Sequence, residues 1–128
     1  MDQVLSLIIL LALLEAKHFL CDGPLQTAAM VAAKGAYGAP LGLAHAGIHG
    51  IATLLVLLVW GAGPGIAIII GLAESVVHYH VDFAKERVGR RLGLTPRDRG
   101  FWWLLGADQA LHRFTYLAIA AAVGLQQE

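Results

Sequence analysis

The second long apolar run of the chain, residues 41–60, reads LGLAHAGIHGIATLLVLLVW. It contains no Lys, Arg, Asp or Glu. A helix of about 20 apolar residues is long enough to cross the hydrocarbon core of a bilayer. His45 and His49 lie four residues apart in this run, so they share one face of such a helix. The stretch therefore predicts a membrane-spanning helix that carries a polar stripe.

Three further apolar runs repeat this pattern along the chain. They cover about residues 4–22, 65–84 and 101–124, and a basic connector of residues 85–100 separates the last two. Each run is about as long as a bilayer is thick, and a spanning segment must satisfy its own backbone hydrogen bonds. The sequence therefore predicts an all-α, integral membrane four-helix bundle that forms one domain of residues 1–128.

The composition agrees with a membrane protein and excludes other classes. Of the 128 residues, 58% are hydrophobic and 14% are charged, with a formal net charge of +0, whereas a soluble domain has about 25% charged residues. The charge balance argues against nucleic acid as a partner, and a single cysteine cannot form an intrachain disulfide. The first run is not expected to be a cleaved signal peptide, because Asp2 precedes it and no small-residue cleavage site follows it.

The basic residues predict the orientation of the bundle. Lys34 lies between the first two runs, and residues 85–100 hold six Lys or Arg. The positive-inside rule assigns such connections to the cytoplasm, so both termini are expected on the opposite side. Residues 27–40 are too short to span and are expected to form a half-helix over the site. Membrane lipids are the expected partners, and the sequence leaves a homo-oligomer open.

Ionisable residues inside the apolar runs mark a functional site, because they are costly in a bilayer. Five of the six histidines have a His or Asp four residues away, whereas random placement would give roughly one in six; the exception is His80. In an up-down bundle the four pairs come to one level, near the cytoplasmic face. The paired residues are His18, Asp22, His45, His49, His78, Asp82, Asp108 and His112.

Imidazole and carboxylate groups in such numbers are typical ligands of a divalent metal. Zinc is the first choice, and iron or manganese would also accept this set. Eight side chains exceed the three protein ligands that a catalytic zinc ion takes. Their number favours two ions; the alternative is one ion, with some aspartates orienting the histidines. A structural hydrogen-bond network would gain only about 0.6 kcal/mol per contact. Glu74, one turn from His78, is the candidate catalytic base; the alternatives are that it pairs with Lys17 or Arg113 or is protonated.

Four segments resemble the signature of a family of small bacterial membrane proteins catalogued as a domain of unknown function. They are HFLCDGPLQT at residues 18–27, HAGIH at 45–49, HYHVD at 78–82 and DQALH at 108–112. The resemblance covers nearly the whole chain and implies a multi-pass protein of the bacterial inner (cytoplasmic) membrane. In the style of its motifs, the pattern is also loosely similar to inner-membrane metal-dependent hydrolases. Glu15 and Lys17 depart from the apolar residues expected before the first histidine.

The function expected from these features is a membrane-embedded metal-dependent hydrolase. Metal ions lower the pKa of bound water and polarise scissile groups, and the depth of the site favours an amphiphilic, lipid-like ester or phosphate as substrate. The alternatives are a membrane di-iron oxidoreductase, a metal-ion transporter or sensor, and a haem-binding protein. A transporter is disfavoured because no run is broken in mid-membrane. Haem needs two axial ligands and would leave three buried aspartates unexplained.

Overall fold

The computed structural model describes residues 2–125 and shows four long helices and a short one. No strand occurs within these residues, so the prediction of an all-helical protein is confirmed. The elements are α1 (Gln3–Asp22), α2 (Ala28–Ala33), α3 (Pro40–Trp60), α4 (Pro64–Arg91) and α5 (Arg99–Gly124).

Helix α4 continues seven residues beyond residue 84, the end predicted for the third apolar run. Part of the basic connector is therefore helical.

Local sequence explains where the helices begin and end. The Asp2 carboxylate accepts a hydrogen bond from the backbone N–H of Val4 and so caps α1. Pro40 and Pro64 begin α3 and α4, where the missing N–H of proline costs nothing. Gly61 ends α3 with a φ of 104°, a left-handed conformation that glycine adopts without strain. The short connection that follows turns α4 back along α3.

The long helices form an up-down bundle. Each packs against two others, in the cyclic order α1, α3, α4, α5 and back to α1, while α2 packs on α3. The contacts along each neighbouring pair run in opposite chain directions. In the α1–α3 pair, for example, the Trp60 indole donates to the Ser6 carbonyl at one end, and His49 meets Asp22 toward the other. The C-terminal halves of α1 and α4 therefore lie beside the N-terminal halves of α3 and α5.

The interior of the bundle has an apolar half and a polar half. The polar half holds the buried histidines and carboxylates. Between the two halves, α3 and α4 approach closely at Gly50 and Gly71. A Cβ atom on Gly71 would lie only 2.7 Å from the carbonyl oxygen of Gly50, so only glycine fits there. The apolar half is a cluster of Leu10, Leu14, Leu57, Ala67, Ile70, Tyr116, Ile119, Ala120 and Val123.

Three helices, α1, α3 and α4, are long and apolar enough to cross a membrane. Their outer faces carry exposed aliphatic side chains, such as Val59 at 82% and Ile69 at 63% exposure. Apolar surface of this extent is typical of a membrane protein. The helix α5 has 26 residues, but Asp108 and Arg113 interrupt its apolar sequence. That α5 forms a fourth span stays a prediction.

Candidate metal centre

The four predicted pairs meet at one level of the bundle. The antiparallel packing brings the C-terminal halves of α1 and α4 beside the N-terminal halves of α3 and α5, where the pairs lie. In the His45–His49 pair the ring centres are 4.9 Å apart. In the three mixed pairs, Nε2 lies 3.0 to 3.5 Å from a carboxylate oxygen: His18–Asp22, His78–Asp82 and Asp108–His112.

One set of potential ligands, here called the Asp22 group, consists of Asp22, His45, His49 and His78. One ligand atom from each residue lies within 4.8 Å of all the others. Oδ1 of Asp22 is 2.9 Å from Nε2 of His49 and 3.2 Å from Nε2 of His45. The three imidazoles are buried, whereas the Asp22 side chain is 26% exposed. Three helices, α1, α3 and α4, therefore contribute to this group.

A second set, the Asp82 group, consists of His78, Asp82 and His112. The Asp82 carboxylate has one oxygen 3.3 Å from Nε2 of His112 and the other 3.3 Å from Nε2 of His78. The second oxygen is also 3.5 Å from Nε2 of His45, which joins the two groups. His78 belongs to both groups, but its Nε2 atom has one lone pair and binds one ion. The two groups therefore cannot both be complete.

The spacing of these atoms fits a metal ion. Two ligands of a tetrahedral ion with bonds of about 2.1 Å lie about 3.4 Å apart. Nε2 of His45 lies 3.2 Å from Asp22, 3.4 Å from His78 and 3.5 Å from Asp82. A single ring nitrogen cannot satisfy three such neighbours by hydrogen bonding alone. The structure therefore contains buried His and Asp groups that can bind a metal ion.

Two of the eight predicted ligands, His18 and Asp108, lie outside both groups. Nε2 of His18 is 3.0 Å from Asp22, and its Nδ1 is 2.7 Å from the hydroxyl of Tyr116. Asp108 is buried and approaches His112 at 3.5 Å, and its Oδ1 atom has no hydrogen-bond partner within residues 2–125. Both side chains are in positions to orient a residue of the two groups from outside.

Glu74, the predicted catalytic base, is buried and forms an ion pair with Lys17. Nζ of Lys17 also lies 3.4 Å from Nδ1 of His49. The other oxygen of the carboxylate, Oε2 of Glu74, has no hydrogen-bond partner in the described part of the chain. The Lys17–Glu74 pair thus lies directly against the Asp22 group. Pairing of Glu74 with Lys17 was the alternative to a catalytic role, but Lys17 was not predicted as a site residue, although a lysine inside an apolar run is itself a signal of function.

Two other residues of the site were missed from the sequence. Tyr116 contacts His18 and lies four residues after His112, so extending the four-residue spacing to tyrosine would have found it. Lys34 was used only to predict orientation, yet it is buried with its Nζ 2.8 Å from Asp82. No spacing in the sequence indicates that contact. His80, the histidine without a partner at four residues, is exposed, and its Nε2 lies 3.1 Å from the Tyr37 hydroxyl.

A cleft of about 390 Å³ between α1 and α5 reaches the centre. Its inner wall includes His18 and Asp22, and its outer part carries Glu15 and Arg113, whose side chains lie 3.5 Å apart. The partial exposure of Asp22 results from this opening. A small molecule can therefore approach the Asp22 group from the α1–α5 side.

The chain matches the family described as "Protein of unknown function (DUF3307)" over residues 7–128. The chain belongs to this family, and the predicted resemblance to a domain of unknown function is confirmed. No curated protein and no solved structure matches the chain.

Proposed function

We propose that this member of the DUF3307 family is a membrane-embedded metal-dependent hydrolase of an amphiphilic, lipid-like ester or phosphate. The observation that carries the proposal is the convergence of imidazole and carboxylate atoms at metal-ligand spacing beside an open cleft. A catalytic metal ion keeps a position open for water. The Asp22 group offers four protein ligands, so water would be a fifth ligand, a number that zinc can reach and that iron or manganese exceeds. The partly exposed Asp22 at the end of the cleft supports the catalytic alternative.

The cleft also supports an amphiphilic substrate. Phe19 lines it and is 70% exposed, next to the polar side chains of Glu15, Gln109 and Arg113. A molecule with an apolar part and a polar group would find both kinds of contact there. The Arg113 guanidinium is suited to an anionic group such as a phosphate or a carboxylate. The substrate would thus approach with its scissile group toward Asp22.

The chain's own residues have separate parts in this hydrolysis. A bound divalent metal, with zinc as the first choice and iron or manganese as alternatives, would acidify water and polarise the scissile bond. The Asp22 group would hold the ion, and Tyr116 would fix the ring of His18 beside Asp22. Glu74 is the proposed proton acceptor; Lys17 occupies one of its oxygens, and Oε2 is the atom that can take a proton.

The proposed location is the bacterial inner membrane, with α5 as a fourth span. The centre would then lie near the cytoplasmic face, because the basic connections flank the polar half of the bundle. Both termini would lie on the opposite side. The Asp and His residues of α5 would face the interior of the bundle, as intramembrane ionisable groups do.

The test combines metal analysis with hydrolysis assays on protein purified in detergent without a histidine tag. Elemental mass spectrometry gives the metal content per chain. The loaded and chelator-treated forms are then assayed with a long-chain p-nitrophenyl ester and with p-nitrophenyl phosphate in mixed micelles. We expect the protein to contain metal and to hydrolyse at least one of the two probes. Treatment with the chelator should abolish that hydrolysis, and the His49→Ala variant should lack it.

The outcomes separate the parts of the proposal. Protein that takes up no zinc, iron or manganese after reconstitution would overturn the metal centre. Protein that binds metal but hydrolyses neither probe would overturn the hydrolase assignment for these two bond types. An optical spectrum with a Soret band or with di-iron absorption would replace the hydrolase with one of the alternative functions.

A further inference from the structure

The charged groups around the centre do not balance one another. With neutral imidazoles, four carboxylates and two ammonium groups leave a net charge of −2. Unbalanced charge away from water is costly. One divalent cation would bring the total to zero, whereas two would leave an excess of +2. The charged residues are Asp22, Glu74, Asp82, Asp108, Lys17 and Lys34.

Lys34 is fixed beside the second potential metal position. It follows α2, and its Nζ lies 2.8 Å from Oδ2 of Asp82. The same oxygen faces Nε2 of His78 at 3.3 Å, so the ammonium lies where a cation of the Asp82 group would be attracted. The segment that carries Lys34 is anchored to α4, because the Arg90 guanidinium of α4 donates a hydrogen bond to the Ala32 carbonyl at 2.8 Å.

We propose that the centre holds a single divalent cation, in the Asp22 group, and that the Lys34 ammonium replaces a second cation at Asp82. The proposal rests on the metal centre of the proposed function and specifies its stoichiometry and position. His78 completes the Asp22 group, which leaves the Asp82 group with Asp82 and His112. Two protein ligands and a neighbouring ammonium do not retain a divalent ion against its electrostatic repulsion from Lys34.

The test is the metal content of four proteins, each saturated with zinc and then freed of unbound metal. Wild type should hold one ion per chain. Lys34→Met should hold about two, because the net charge of the centre becomes more negative by one and Asp82 is released for a second ion. Lys85→Met is the matched control, because Lys85 pairs with Glu86 outside the centre, and it should hold one ion.

The fourth protein, Lys34→Met/Asp82→Asn, removes both charges of the pair, so that no unpaired charge is left inside. It should hold one ion, because the Asp22 group is intact. Where Lys34→Met alone does not fold, this variant still tests the assignment of the ion to the Asp22 group. Loss of the ion from the double variant would show that Asp82 is needed to hold it and would overturn the assignment to the Asp22 group.

The remaining outcomes distinguish failure of this inference from failure of the proposed function. Two ions in wild type, or one ion in folded Lys34→Met, would overturn the role of Lys34 while a metal centre stands. No ion in wild type would overturn both proposals. One ion in wild type and in the double variant, with two in Lys34→Met, would support the inference.

Discussion

Nε2 of His45 lies 3.4 Å from Nε2 of His78, although 33 residues separate the two in the sequence. Both rings are buried, and neither Nδ1 atom has a hydrogen-bond partner in the described chain. A hydrogen bond between the two Nε2 atoms needs one protonated and one unprotonated nitrogen, and the accepting ring then carries its proton on a buried Nδ1 atom that has no partner. The same spacing is that of two ligands of one ion, and a metal ion needs neither Nε2 atom to be protonated.

Replacing His45 with Ala should lower metal affinity by more than about 100-fold, which exceeds the usual effect of an outer residue. His45 faces Asp22, His78 and Asp82, so its loss removes the atom at which the two groups join. Isothermal titration with zinc measures the change. His80→Ala is the matched control, because His80 is exposed and outside the centre, and it should bind as wild type does. Equal affinities of the two variants would contradict the assignment.

Tyr116→Phe should lower metal affinity by up to about 10-fold, the low end of the effect of an outer residue, without unfolding the protein. The hydroxyl lies 2.7 Å from Nδ1 of His18, whose other nitrogen contacts Asp22. Removal of the Tyr116 hydroxyl frees the His18 ring, which then holds the Asp22 carboxylate less firmly. Tyr37→Phe serves as control, because it removes a similar contact, 3.1 Å from His80, on the surface. If both variants bind zinc as wild type does, Tyr116 has no orienting role.

Lys17→Met should destabilise the protein by about 3–5 kcal/mol, because it leaves the carboxylate of Glu74 buried without its cation. Both side chains are at most 5% exposed. Lys17→Met/Glu74→Met removes both charges and should recover most of the loss. Unfolding monitored by circular dichroism in detergent gives the free energies. The control Lys85→Met should cost at most about 1 kcal/mol. If the double variant is no more stable than Lys17→Met, the unpaired Glu74 carboxylate is not the cause of the lost stability.

Alanine at Gly50 and at Gly47 should have opposite effects on stability. A Cβ atom on Gly50 would collide with the backbone of Gly71 and with Ser75, whereas one on Gly47 would meet nothing within 4 Å. Gly50→Ala should therefore cost about 1–3 kcal/mol through overpacking. Gly47→Ala should gain up to about 1 kcal/mol of helix propensity. Because Gly50 adjoins His49, only Gly50→Ala should also weaken zinc binding. Equal unfolding free energies would contradict the close α3–α4 contact.

The fourth span can be tested with single cysteines in a Cys21→Ser background. If α5 crosses the membrane, Leu125→Cys and Ala62→Cys should react with an impermeant maleimide from the outer side of intact cells. Arg97→Cys should react only after the cells are opened, because the basic connection is expected in the cytoplasm. Labelling of Ala62→Cys but not of Leu125→Cys in intact cells would leave three spans and a cytoplasmic end of α5.

Much of the fold and part of the site could be predicted without coordinates. The apolar runs predicted the long helices, because a membrane requires each segment to satisfy its own backbone hydrogen bonds. The four-residue spacing predicted which side chains share a helix face, because that depends only on helix geometry. The turn at Gly61 and the starts of α3 and α4 at Pro40 and Pro64 have local causes as well.

The helices, the polar stripe on each and the level at which the stripes meet were thus predictable from the sequence. The contacts between helices were not: His78 is shared by two groups, His18 and Asp108 lie outside both, and Lys17 and Lys34 point into the polar half. The difference comes from the range of the interactions. Helix periodicity is fixed by neighbours along the chain, whereas the end of a long lysine side chain is fixed by the charges and packing of other helices.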